Sequence, residues 1–366
     1  MSKFTLVDVF AGCGGMTQGF VDSGHFEPIL AIEFDRDAAR TYAANFGDDH
    51  VIQKPIEEVK SIPRADVLIG GPPCQGFSPL NREAVGFERR GLWREYLRAL
   101  KMVKPKAFVM ENVPELLRSA EYDEFKKLAR NLDYTIEEDV LNAADFGVPQ
   151  RRLRAIVIGV HHGSVPWPTA THREGGWVTF REAVAGLPEK PNGLNWHRKR
   201  SPRPESVLRY RAVPADGGNR FQMQERLDGE ERGHLVPRCW REKPTGTTDV
   251  FGRLWWDRPS VTIRTEFHKP EKGRYLHPKA HRPITLREAA RCMSFDDSFV
   301  FLEDQAMTSV ARQIGNAVPP LLARCIADAL GSELGQYGIR GPGRTVRATR
   351  DATRKSRSRR VSPSYA

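Results

Sequence analysis

The chain has 366 residues, of which 39% are hydrophobic and 28% charged, and its formal net charge is +11. This balance is typical of a globular protein long enough for two lobes, and no run of about 18 apolar residues is present to span a membrane. The five cysteines form no CxxC pair, and the first residues lack the features of a secretory signal. We therefore expect a cytoplasmic protein that binds no metal.

The first 160 residues alternate short apolar runs with amphipathic runs of helical length. Strands are predicted over 4–10, 29–34, 66–69, 107–110, 135–141 and 155–160. Helices are predicted over 17–22, 37–45, 94–103 and 122–132. This alternation predicts an α/β fold of the Rossmann-like kind, with a mostly parallel sheet and helices on both faces.

Basic residues are concentrated in two segments. Residues 161–280 carry 22 Lys and Arg against 14 Asp and Glu, and residues 336–366 carry nine against one. Helical periodicity resumes over 284–292 and 321–330, so these helices should pack back onto the first sheet. We predict a large domain formed by 1–164 and 281–334, a smaller inserted domain over 165–280, and a disordered tail over 335–366. The tail is either a solubilising extension or a non-specific phosphate-binding segment.

Glycines follow the first predicted strand. Gly12 and Gly14 fit two positions of a dinucleotide-binding fingerprint, but the third position is Thr17, which weakens a nicotinamide interpretation. Glu33 ends the second strand about 20 residues later, where a carboxylate suits ribose hydroxyls. Together these features favour an adenosine-containing ligand without a pyrophosphate.

Cys74 is bracketed by rigid turn residues in the sequence GGPPCQGFS after the strand over 66–69. Glycines and prolines at the carboxyl end of a sheet strand lie where open α/β sheets bind their ligands. A buried structural thiol is the usual alternative, but such thiols sit inside apolar periodic runs. The context favours a nucleophile.

Five motifs occur in order: FAGCGG at 10–15, PPCQ at 72–75, ENV at 111–113, QRRLR at 150–154 and QIGNAVPP at 313–320. This set closely resembles the cytosine-C5 DNA methyltransferase family over about 4–160 and 245–334. The resemblance implies an S-adenosylmethionine-dependent methyltransferase sheet. The insert over 165–280 would be the target-recognition domain, which reads base edges of double-stranded DNA. A target cytosine would be flipped out of the duplex, and a stretch resembling the family's mobile loop follows Ser78.

The resemblance also implies roles for individual residues. Cys74 would add to C6 of cytosine so that C5 becomes nucleophilic. Glu111 would hydrogen-bond or protonate N3, which requires it to be protonated at least transiently in an apolar site. Arg154 would contact O2, and Arg152 would lie near the target phosphate on the same side of the strand.

The cofactor implied by the resemblance is S-adenosylmethionine. Phe10 would lie against the adenine, Glu33 would hold the ribose, and Gly12 and Gly14 would form the turn. The segment 313–320 would fold back beside this turn, with Asn316 touching the ligand. The acidic residue that the family often offers to the adenine amino group has no clear counterpart, which leaves Asp35, Glu57 or no contact.

The expected function is that of a DNA (cytosine-5-)-methyltransferase, monomeric and serving as the modification enzyme of a restriction-modification system. A cognate restriction endonuclease acting on the same site would then be its functional partner. Two alternatives stay open: a tRNA cytosine-C5 methyltransferase and a catalytically silent DNA-binding homologue. The second would be expected to lose Cys74, Glu111 or Arg154, and all three are present.

Overall fold

A seven-stranded sheet forms the centre of the large lobe in the computed structural model, which describes residues 2–73, 91–198, 200–228, 233–242 and 247–340. Its strands are β1 (Phe4–Val9), β2 (Phe26–Glu33), β3 (Val51–Gln53), β4 (Val67–Gly70), β5 (Ala107–Asn112), β6 (Thr135–Asn142) and β7 (Leu153–Val160). The order across the sheet is β3-β2-β1-β4-β5-β7-β6, and β7 runs opposite to the other six strands. β1 lies between β2 and β4, so successive strands are added on one side of β1 up to β3 and on the other side from β4 onward. Open α/β sheets form their binding crevice where the strand order reverses in this way.

The described α-helices cover both faces of the sheet and the insert. They are α1 (Gly15–Asp22), α2 (Arg36–Phe46), α3 (Leu92–Val103), α4 (Ala120–Arg130), α5 (Phe180–Ala183), α6 (Pro204–Ala212), α7 (Arg220–Asp228), α8 (Arg238–Glu242), α9 (Leu286–Cys292), α10 (Met307–Asn316) and α11 (Pro320–Arg340). Apolar side chains of α3 and α4 pack on one face of the sheet, and those of α1 and α11 pack on the other. The predicted Rossmann-like α/β architecture is confirmed.

The two helices expected to return to the sheet behave differently. The helix α11 contributes Leu322, Ile326 and Leu330 to the core beneath the sheet, as predicted. The helix α9 instead packs with α10 and with residues of the insert such as Phe180 and Leu254. The helix α11 extends through Arg340 and so includes the first six residues of the predicted tail, which starts at 335.

The insert owes part of its order to buried arginines. Arg253 is almost fully buried, and its guanidinium donates to the backbone carbonyls of Val213, Tyr210, His277 and Ala280. Burial lowers the pKa of Arg253 to about 10.

Arg274 similarly donates to the carbonyls of Gly217, Gly218 and Arg253 and lies over the ring of Trp255. Part of the positive charge of the insert is therefore buried within the fold, where it stabilises backbone carbonyls and cannot contact a polyanion.

Among the residues described, none of the helices combines the length and apolarity that crossing a membrane requires. The same residues contain no cluster of three or more His, Cys, Asp or Glu side chains arranged to hold a metal ion.

Candidate active site

A pocket of about 440 Å³ opens at the carboxyl ends of the central strands. Seven of the residues expected from the sequence line it: Phe10, Gly12, Glu33, Glu111, Arg152, Arg154 and Asn316. Gly14 does not line the pocket, and Cys74 and the stretch after Ser78 up to residue 90 lie outside the described residues. One cavity thus joins the motif after β1, the ends of β4 and β5, and the helix α10.

The turn after β1 is built from left-handed backbone conformations. Phe10 has φ 59° and Gly12 has φ 57°, and the strained conformation of Phe10 occurs at the wall of the pocket. Gly14 has φ 92°, and a Cβ at this position would lie 2.4 Å from Cε2 of Phe46. Gly14 therefore permits close packing of α1 against α2 rather than direct contact with a ligand.

Glu33 holds this turn in place. Its Oε2 accepts from the backbone N–H of Gly12 at 2.8 Å, and its Oε1 accepts from the N–H of Asp35 at 2.8 Å. Burial raises the pKa of Glu33, and the two N–H groups oppose that effect. Each carboxylate oxygen keeps a further lone pair, so Glu33 can still accept a hydrogen bond from a ligand hydroxyl.

Asp8 is a second acidic residue of the pocket, and the sequence analysis did not single it out. Its Oδ2 accepts from the hydroxyl of Thr17 at 2.6 Å, and the hydroxyl of Tyr42 donates to Thr17 at 3.3 Å. Burial raises the pKa of Asp8 to about 7, an effect that the Thr17 hydrogen bond reduces and the nearby Glu33 charge increases. Thr17, the residue that departs from the dinucleotide fingerprint, therefore provides a hydrogen bond to the buried carboxyl group of Asp8.

The segment 313–320 folds back beside the glycine turn, as expected from the sequence. A Cβ at Gly15 would lie 2.5 Å from the carbonyl oxygen of Val318, so only glycine allows this approach without displacement. Asn316 ends α10 and is exposed toward the pocket.

Arg152, for which the resemblance implied a place near the target phosphate, is buried in the wall of the pocket. Its side chain is only 1% exposed, and its guanidinium donates to the carbonyls of Gly315 at 2.9 Å, Ala317 at 3.0 Å and Ile263 at 3.0 Å. These bonds engage the carbonyls on both sides of Asn316. Through these bonds Arg152 joins Ile263 of the insert to the wall of the pocket.

Glu111 and Arg154 are in contact with each other in the wall of the same pocket. The Nε of Arg154 lies 2.7 Å from Oε1 of Glu111, and both side chains are largely buried. The expected burial of Glu111 is observed, but its neighbour is a guanidinium rather than an entirely apolar wall. Asn112, the next residue, donates from Nδ2 to the carbonyl of Pro72 at 2.9 Å and so ties the segment leading to Cys74 to the end of β5.

The described cysteines do not offer a competing nucleophile at this site. Cys13 lines the pocket but is 1% exposed, and burial raises the pKa of its thiol to about 12. Burial does the same for Cys292. A thiolate is the reactive form of cysteine, so these two thiols are unsuited to nucleophilic attack near neutral pH.

Several polar residues of the pocket were not anticipated: Asp8, Asn112, Ser309, Arg312 and Gln313. The spacing of Ser309, Gln313 and Asn316 by four and three residues was the available signal, because it places them on one face of a helix. Of the two acidic residues left open for the adenine contact, Asp35 lines the pocket and Glu57 does not.

Comparisons with known proteins agree with this geometry. The sequence matches the family model of C-5 cytosine-specific DNA methylases over residues 4–332. It is 33% identical over 350 residues to the type II methyltransferase M1.HphI of Haemophilus parahaemolyticus, covering 90% of this chain and 87% of that protein. It is 32% identical to the type II methyltransferase M.XorII of Xanthomonas oryzae, with coverage of 87% and 82%.

Solved structures show the same fold. A protein described as a DNA modification methyltransferase encoded within an E. coli prophage superposes with a TM-score of 0.63 at 28% identity, covering 91% of this chain and all of that chain. The Dnmt2 methyltransferase of S. pombe, at 17% identity and a TM-score of 0.59, covers 92% of this chain and all of its own and shares the fold alone. Because the family model spans nearly the whole chain, and the sheet, the glycine turn and the Glu111–Arg154 pair occur together, this protein belongs to the C-5 cytosine-specific DNA methylase family.

Proposed function

We propose that this enzyme transfers a methyl group from S-adenosylmethionine to C5 of a cytosine flipped out of duplex DNA, by way of a temporary bond between Cys74 Sγ and cytosine C6. The observation that carries the proposal is the single pocket that contains both Glu33 and the Glu111–Arg154 pair. A donor and a base held in one cavity can react directly, without diffusing between sites.

The covalent step follows from the chemistry of the ring. C5 of cytosine is a weak nucleophile, and attack of a thiolate on C6 breaks the C5–C6 double bond and moves its electron pair toward C5 and N3. S-adenosylmethionine, when bound, supplies an electrophilic methyl group on a sulfonium. Transfer of this methyl group to C5 would leave S-adenosylhomocysteine. Loss of the C5 proton to a base would then restore the double bond and expel Cys74 as the thiolate, so the enzyme is returned unchanged.

Glu111 and Arg154 are the residues proposed to hold the ring during this step. A guanidinium directed at O2 and a carboxyl at N3 would together stabilise the negative charge that develops when sulfur adds to C6. Their mutual contact at 2.7 Å fixes both side chains before the base arrives. Asn112 supports the reaction indirectly, since its bond to Pro72 positions the chain two residues before Cys74.

The residues proposed to bind the cofactor fit a ligand that contains adenosine and a sulfonium group. The carboxylate of Glu33 has a lone pair on each oxygen available for ribose hydroxyls. The ring of Phe10 is held at the wall, where it can stack on the adenine. Asn316, between the two carbonyls that Arg152 engages, is the proposed contact from α10.

DNA, rather than tRNA, is the proposed polymer because the matching family model is that of C-5 cytosine-specific DNA methylases and relatives above 30% identity are named type II methyltransferases. The same names support a role in a restriction-modification system, with a cognate endonuclease acting on the same site. A monomer and the nucleoid-associated cytoplasmic location are part of the same proposal.

The proposal is tested by sequencing. DNA from cells that express the full chain should contain 5-methylcytosine in one short sequence context, as read by bisulfite conversion. Cells expressing Cys74→Ala should show none, because the ring cannot be activated without the sulfur. Methylation that persists in the Cys74→Ala cells would contradict the nucleophile assignment, and methylation confined to RNA would contradict the choice of polymer.

A further inference from the structure

Two polar atoms on α10 have no hydrogen-bond partner among the described residues: Oγ of Ser309 and Oε1 of Gln313. Both residues line the pocket, and they are only 4% and 6% exposed. They lie four residues apart and therefore share one face of the helix. Buried polar atoms are nearly always paired in folded proteins, so two unpaired ones beside a cavity point to a missing partner.

The orientation of the Gln313 amide is fixed by a chain of hydrogen bonds. Nε2 of Gln305 donates to the backbone carbonyl of Asp37 at 2.8 Å, and a carbonyl can only accept. Oε1 of Gln305 must then accept from Nε2 of Gln313, at 2.7 Å. Since this assigns the nitrogen of Gln313, its Oε1 is an acceptor in need of a donor.

We propose that Gln313 and Ser309 are further ligand-binding residues: Oε1 of Gln313 accepts a hydrogen bond from an N–H or O–H group of S-adenosylmethionine, and Oγ of Ser309 pairs with a neighbouring polar atom of the same molecule. The inference rests on the proposed function. Two parts of the ligand carry suitable donors, namely the ammonium group of the amino-acid end and the hydroxyl or amino groups of the adenosine.

Calorimetric titration of the purified full-length protein tests this with three probes: S-adenosylmethionine, S-adenosylhomocysteine and 5′-methylthioadenosine, which lacks the amino-acid end. The variant Gln313→Met removes the acceptor and keeps the length of the side chain. We expect it to weaken binding of the first two probes about tenfold or more if the partner is the charged ammonium, and about two- to tenfold if it is a neutral donor. Binding of 5′-methylthioadenosine should be unchanged in the first case and equally weakened in the second. Ser309→Ala should weaken binding about threefold.

Thr308→Ala is the matched control, because Thr308 lies on the same helix, is exposed and does not line the pocket. Binding of all three probes within twofold of wild type by both Gln313→Met and Ser309→Ala would overturn the inference and indicate that water pairs these atoms. If Gln313→Met lowers the Tm of the ligand-free protein, Ser309→Ala decides between the two outcomes. A wild-type protein that binds none of the probes would contradict the proposed function itself, which separates the two failures.

Discussion

Glu111→Gln is expected to reduce the rate of methyl transfer about 10³-fold while leaving DNA binding nearly intact. Glutamine has the size of glutamate and can hydrogen-bond to N3, but it cannot give a proton to the ring when sulfur adds to C6. Positioned general acids and bases typically contribute 10²–10⁴-fold to a rate. The measurement is the initial rate of transfer of tritiated methyl groups to DNA at saturating DNA and donor.

Glu115→Gln is the control for this prediction, since Glu115 lies four residues further on and is exposed. It should retain the wild-type rate. Because the substitution also removes the carboxylate partner of Arg154, the thermal unfolding of Glu111→Gln should be recorded in parallel. A folded Glu111→Gln protein whose rate stays within tenfold of wild type would remove Glu111 from the proposed chemistry.

Asp8→Asn is expected to change how stability depends on pH. The pKa of Asp8 is raised to about 7 in the folded protein from an ordinary value of 3.8, chiefly by burial. Between these values the folded state binds a proton that the unfolded state has lost, so this group makes the protein less stable as pH rises from about 4 to about 7. Asparagine does not titrate, and its side-chain oxygen can still accept from Thr17.

The free energy of unfolding of Asp8→Asn, relative to wild type, should therefore increase by about 3 kcal/mol between pH 5 and pH 8. Urea unfolding at several pH values measures the difference, in which contributions from titrating groups that do not interact with Asp8 cancel. Asp48→Asn, at an exposed carboxylate, should show no pH-dependent difference of this size. A constant difference between Asp8→Asn and wild type over this range would show that the Asp8 carboxyl is ionised in the folded protein.

The strands β1, β4, β5 and β7 were predictable because they are apolar runs that are largely buried on both faces. The strand β3 was not predicted, since it has only three residues, none of them fully buried, at the edge of the sheet. The helix α10 was also missed. Ser309, Arg312 and Gln313 of this helix line the pocket, and these polar residues interrupt the apolar spacing by which helices are predicted. The residues that line the pocket are therefore the reason that the helix was not predicted.

The candidate site could be located from its motifs but not fully described by them. The proximity of Glu111 and Arg154 depends on the antiparallel pairing of β5 with β7, which strand periodicity does not specify. The resemblance implied a place near the target phosphate for Arg152, but it could not indicate that the guanidinium donates to three carbonyls from two distant segments. Asp8 lies within an apolar run, and its importance becomes visible only when Thr17 is seen beside it.

The temporary bond between Cys74 and cytosine is the central claim, and a mechanism-based trap tests it most directly. A duplex oligonucleotide carrying 5-fluorocytosine at the target position is incubated with the full-length protein and S-adenosylmethionine. Fluorine at C5 cannot leave as a proton does, so the bond between sulfur and C6 should persist as a denaturation-resistant adduct. Peptide mapping is expected to locate the adduct at Cys74, and Cys74→Ala should form none. The absence of an adduct with an active enzyme, or its attachment to another residue, would contradict the account.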